Sequence, residues 1–238
     1  MDFKDQIKQL SERVAKLKEN IGTEEATKTA FIMPFIQALG YDVFDPTEVV
    51  PEFTCDLGIK KGEKIDYAIY KDGQPIILNW KECLDGHNGQ LYRYYQVSNA
   101  KFGLLTNGII YRFYTDLVEP NKLDSKPFFE INMEDLRETH IEKLKEFHKS
   151  YFDLDKILNT ASELKYTNEI RNAIAKEIAN PSDEFVKYFA KQVCSGCVWK
   201  SVIDQFTPFV KQAFSSVIND IIQDRLNSAI KNEEQNSE

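Results

Sequence analysis

The sequence predicts an α/β fold, a mixed β-sheet core flanked by helices, with a helical C-terminal region. Three observations carry this. Apolar residues recur every three or four positions through the first 39 residues. After that the period falls to two, punctuated by Asp72–Gly73 and Asn107–Gly108, the dipeptides that favour tight hairpin turns. From about Glu134 onward only helical spacing remains. The expected organisation is an α/β domain over residues 1–135, a helical region over 136–230 and a disordered tail or linker over 231–238.

Each element has a local reason. Phe3, Ile7, Leu10, Val14 and Leu17 form one face of an amphipathic helix over residues 2–20, which Gly22 ends. Thr23 can cap a second helix, Glu24 and Glu25 suit its first turn, Pro34 can kink it, and Gly40 stops it. YDVFDP, VVPEFTCDLG, KIDYAIY and PIILNWKEC read as strands. HNGQLYRYYQVSN returns to helical spacing. AKFGLLTNGIIYRFYTDL is a second hairpin, with strands to Leu105 and from Ile109, and KPFFEINM is one more strand. Pro181–Ser182–Asp183 starts a later helix, and another long one contains Pro208.

Composition narrows the function classes. A hydrophobic content of 42% and an aromatic content of 12% fill a core, so the chain is not a disordered one. The net charge of -8 argues against a wholesale nucleic-acid coat. Apolar runs are too short to span a bilayer, so no membrane association and a cytoplasmic location are expected. Cys194 and Cys197 make a lone CxxC, and Cys55 and Cys83 are isolated; they read as small buried thiols in a reducing compartment rather than as a zinc site. No GxxxxGK loop occurs.

Chemistry concentrates in residues 64–83. A turn centred on Asp72–Gly73 pairs residues whose numbers sum to 145, which sets Asp66 opposite Asn79. Alternation then places Asp66, Asn79 and Lys81 on one sheet face and Trp80 and Glu82 on the other. An acid, an amide and a lysine on one face are costly if buried unpaired, but suit a face that opens on a metal or an anionic ligand. An ordinary cross-strand ion pair is the plainer reading of Asp66 and Lys81.

TEEATKTAFIMPFIQALGY, KIDYAIYKDGQPIIL and GQLYRYYQVSNAKFGLLTNGIIYRFYTDL together resemble the N-terminal nuclease domain of the restriction subunit of type I restriction enzymes, of the PD-(D/E)XK superfamily, over about residues 20–135. The resemblance implies a restriction-endonuclease-like sheet and a Mg²⁺-dependent DNA endonuclease of bacterial or phage defence. It implies Glu24 or Glu25, Asp66 and Asn79 as metal ligands, Lys81 as the lysine that positions the attacking water, and Gln90 and Tyr94 as a Q-x-x-x-Y pair on the following helix. The family pattern has Glu where this chain has Asn79. An ungapped comparison instead sets Trp80 at that Glu and Glu82 at the Lys, and neither reading restores E-x-K. The loss of one negative charge predicts an impaired nuclease, which Glu82 rescues only if the strand is bulged.

Plainer roles stand beside these. Glu24 and Glu25 can merely complement a helix dipole, Tyr94 can be core with Gln90 capping a backbone group, and His87 can be a surface or capping residue. Residues 56–112 hold eight Lys or Arg against six acids, a relatively basic stretch compatible with DNA. The expected partners are DNA, other restriction–modification subunits and further copies of the chain. The alternative function is a catalytically inactive nuclease fold that binds DNA or protein.

Overall fold

The structure, a computed structural model, describes residues 2–54, 64–71, 73–84, 89–194 and 199–235. His87, Cys55, Cys197 and the turn residue Asp72 lie outside these. Helix α1 (Phe3–Leu17) begins where the Asp2 side chain accepts from the Asp5 amide, and it turns Ile7, Leu10 and Val14 inward. The helix expected over residues 24–39 is divided into α2 (Glu24–Thr27), a π turn (Lys28–Ile32) and α3 (Met33–Ala38). Pro34 supplies the reason. It has no N–H and its ring collides with the carbonyl four residues back, a clash that the wider turn relieves. Thr23 caps α2 by accepting from the Ala26 amide.

Six strands form one mixed sheet in sequential order: β1 (Val49–Phe53), β2 (Ile65–Lys71), β3 (Gln74–Trp80), β4 (Phe102–Thr106), β5 (Ile110–Tyr114) and β6 (Phe129–Asn132). All neighbours are antiparallel except β3 and β4, which helix α4 (Gly89–Val97) connects as a parallel pair. The β2–β3 register is the expected one, from Lys71↔Gln74 to Tyr67↔Leu78. Residues 41–46, expected as a strand, form turns. Asp42 accepts from the Phe44 amide and Asp45 from the Thr47 amide and hydroxyl. Such local bonds offer the backbone an alternative to a ladder.

One sheet face is covered by α1, α3 and α5 (Glu138–Leu144), with Phe35 stacked on Tyr111 at 3.8 Å between ring centroids. On the other face α4 packs Leu91, Tyr94 and Tyr95 against Ile65, Ile77 and Leu105. Helix α6 (Leu154–Ala179) adds Ile157 and Ala161 to the first core, and its buried Lys165 reaches Asp124 at 2.9 Å.

The chain divides into two compact units after Tyr166, within α6, rather than near residue 135. Ile141, Leu144, Phe147 and Ile157 belong to the sheet unit's core, which places the boundary later. The second unit holds the rest of α6, α7 (Asp183–Val193) and α8 (Lys200–Gln235). Ser182 caps α7 as the sequence suggests. Helix α8 contains Pro208 and continues to Gln235, so the first five residues of the expected tail are helical. Cys83 is exposed and Cys194 half-buried, not the buried thiols expected.

The β4–β5 turn meets the π turn directly. Asn107 Oδ1 accepts from the Ile109 and Ile110 amides, and Gly108 takes φ +87°. A Cβ on Gly108 would run into Thr27 and Phe31. Gly108→Ala is therefore expected to destabilise the protein by about 1–3 kcal/mol in urea denaturation, from positive-φ strain together with this collision. Gly73→Ala, at φ +77° in open space, carries the strain alone and is expected to cost less.

Candidate functional site

The site lies where β2 and β3 part. Their pairing ends at Tyr67↔Leu78, while β3 continues along β4 to Trp80↔Thr106 and the Lys81 amide donates to the Thr106 carbonyl. The Asp66 carboxylate fills the fork. Its Oδ2 accepts from the Trp80 amide at 2.6 Å, and its Oδ1 lies 2.6 Å from Lys28 Nζ. The same ammonium lies 2.5 Å from Glu24 Oε1 and 3.4 Å from Glu25 Oε1. The Lys28 and Asp66 side chains are only 13% and 12% exposed. Lys28 is the first residue of the π turn, so one element delivers both Glu24 and the cation that Asp66 meets.

The carboxylate reaches this side because the ribbon turns over. Val49, Tyr67 and Ile69 pack with the α1–α3 core, whereas Phe53 and Ile65, further along the same two strands, pack with the α4 core. Between them Glu52 takes φ +50°, and no Glu52–Asp66 pair interrupts Pro51↔Tyr67 and Phe53↔Ile65. Along β3 the alternation stays regular. Ile77 packs on the α4 side, and Leu78 and Trp80 on the α1–α3 side. Asn79 stands beside Leu105, a residue of the α4 core, and is 2% exposed. Asp66 and Asn79 therefore do not share a face, contrary to the sequence expectation, since a local turnover reverses the facing of every residue beyond it. Trp80 takes the Asp66 side. Its indole N–H is buried without a hydrogen-bond partner among the described residues.

A groove of about 1010 Å³ opens over the fork. Glu24, Glu25, Asp66, Asn79, Lys81, Glu82 and Gln90 all border it. The lysine that reaches Asp66 is Lys28, not Lys81. Gln90 spends its amide on the Lys64 carbonyl, which ties α4 to the start of β2. Tyr94 does not border the groove; it is enclosed in the α4 core. Sequence reasoning missed Lys28. Its one visible signal was the Glu24–Lys28 spacing of four, which describes any exposed helix pair.

The electrostatics are those of two carboxylates sharing one ammonium, in a cleft whose described lining is acidic. Burial opposes the charge on Lys28, but hydrogen bonds from it to Asp66 and Glu24 outweigh that and raise its pKa. Burial pushes the Asp66 carboxyl above the usual carboxylate range, while the Lys28 ammonium and the Trp80 amide hold it down. The described groove lining carries five carboxylates (Glu24, Glu25, Glu52, Asp66, Glu82) and three ammonium groups (Lys28, Lys64, Lys81), net -2.

Mg²⁺ demands near-octahedral oxygen coordination. Here Glu24 and Asp66 converge on a point that Lys28 already holds, and the third side chain on that face is an indole. No group of three His, Cys, Asp or Glu among the described residues is arranged to hold a metal. This donor set does not fit the Mg²⁺ centre that the resemblance implies. No family model, curated protein or solved structure matches the chain.

Lys28→Met leaves a buried carboxylate without its cation, and is expected to cost about 3 kcal/mol at neutral pH, the low end for breaking a buried pair because both groups keep some exposure. In the variant the folded-state pKa of Asp66 lies further above its unfolded value. Between the two values the folded state binds more protons, so stability there falls as pH rises. The deficit against wild type is expected to shrink at mildly acidic pH in urea titrations. A deficit that does not change with pH would show that Lys28 acts through packing alone.

Proposed function

We propose that residues 2–166 form a restriction-endonuclease-like domain that recognises a ligand and does not cleave DNA. One observation carries the reading: the two carboxylates placed to hold a metal share the Lys28 ammonium instead, at 2.5 and 2.6 Å. Around it, Asn79 turns to the α4 side and Trp80 packs on the α1–α3 side. A hairpin Asp and an acid from the preceding helix are two of the metal ligands that the family resemblance implies, and their closeness supports the fold part of this reading.

The groove charge chooses between the two kinds of binding module. The described lining of the cleft, net -2, repels a phosphodiester unless a metal first neutralises it. The same cleft suits Lys or Arg side chains, which carboxylates bind through charge-assisted hydrogen bonds. The domain therefore reads as a protein-interaction module derived from a defence nuclease, its ligand a basic segment.

Supercoiled plasmid incubated with millimolar Mg²⁺ or Mn²⁺ tests this. The expected result is no nicking above a buffer control, and no rise in Tm with either ion. Metal-dependent nicking that disappears in Asp66→Ala would overturn the proposal and restore the hydrolase reading.

A further inference from the structure

The second unit is short of core. Its apolar cluster encloses Val186, Ile203 and Val210, with four phenylalanines packed around them. Among the described residues, twelve of the sixteen exposed large apolar side chains of the chain belong to this unit. A helical unit with so little enclosed does not sustain itself in water. Helix α7 has 11 residues and α8 has 36. The exposed apolar side chains of α8 run from Phe209 to Ile230, about 32 Å at 1.5 Å per residue.

The pattern on that length indicates what it meets. Val217 and Ile221 continue the line of Ile203, Val210 and Phe214 that faces α7. Ile218, Ile222, Leu226 and Ile230, spaced by four, make a second stripe on the adjacent side, and each is exposed. A helix apolar on two adjacent sides belongs in a bundle, where it touches two neighbours. Between α7 and α8 a cleft of about 480 Å³, lined by residues such as Phe189, Val193, Phe209 and Val217, is almost wholly apolar.

The charges select the occupant. Residues 209–230 carry Lys211, Asp220, Asp224 and Arg225 and are net neutral in a chain of net -8. Binding to an anionic membrane needs a polar face rich in Lys and Arg, which this helix lacks. A neutral apolar face is where two copies of an acidic chain can approach without like-charge repulsion. The extent is comparable: two sides of a strip about 32 Å long and roughly 10 Å wide offer on the order of 640 Å², against the ~800 Å² that a standard interface takes from each partner.

We infer that α8 is a self-association surface, through which two copies of the chain pack their α7–α8 pairs into one helical bundle. This stands apart from the groove at Asp66. The test is sedimentation equilibrium on the full chain across a wide concentration range, with helicity followed by circular dichroism. Wild type is expected at twice 27.6 kDa. The pair Ile222→Lys and Leu226→Lys, both at exposed positions, is expected to give the monomer mass, with or without fraying of α8. The pair Ser216→Lys and Asn227→Lys adds the same charge on the polar side and is expected to leave the dimer intact. A wild type that is monomeric throughout, including one that co-sediments with anionic vesicles instead, overturns the inference. So does a stripe variant that stays dimeric, or a polar-side variant that dissociates.

Discussion

The structure around the groove depends on one constraint: a carboxylate set where two strands part cannot be left alone. Asp66 is largely removed from water at the fork, and its ladder partner on β3 has moved away. An ionised group in that position needs opposite charge and hydrogen bonds together. Lys28 supplies the charge and the Trp80 amide supplies the bond. The amide bond also gives β3 an acceptor that the departing β2 backbone no longer offers. The π turn that carries Lys28 is held in turn by the β4–β5 hairpin at Gly108, so the ion pair, the turn and the far hairpin form one chain of dependence. Such a pair adds little net stability over an apolar substitute, yet losing one member is expensive. Its effect is to fix how α2 docks on the fork.

Much of this fold was legible in the sequence, and the parts that were not have identifiable causes. Asp72–Gly73 set the β2–β3 register, Asn107–Gly108 set the second hairpin, and Thr23 and Ser182 announced their helices, because each of those signals is local. Residues 41–46 were misread because alternation in YDVFDP competes with two Asp side chains that bond their own backbone. The division after Tyr166 was missed because Ile157 and Ala161 join the sheet core through tertiary packing, not through any change in helical pattern. At the candidate site half of the described residues that border the groove were named in advance, Lys28 was not, and the facing of Asp66 against Asn79 was misread. The turnover near Glu52 is a backbone event at a residue whose type gives no warning of positive φ.

Charge shows the same limit. Residues 56–112 are relatively basic along the chain, but space sorts them differently. Arg112 is engaged by Glu130 and the Leu84 carbonyl, and Lys71 and Lys101 do not border the groove. In their place the cleft gathers Glu24, Glu25 and Glu52 from elements before β2. Among the described residues the groove lining therefore carries net -2, where the linear count over residues 56–112 gives an excess of base.

An internal ammonium held between two carboxylates has a physical logic that joins these points. Two carboxylates that face one point repel each other, and a protein that relies on a divalent ion to hold them apart is strained whenever the ion leaves. Lys28 sits four residues after Glu24 on the same helical element, so its cation arrives with the acid it neutralises and cannot diffuse away. The fork can then keep its shape at any metal concentration. With Asp66 and Glu24 committed inward, what the described lining presents to solvent is Glu25 and Glu82, the Glu52–Lys64 pair and Lys81 around a formed cleft. Those groups, and no longer Asp66, meet what binds.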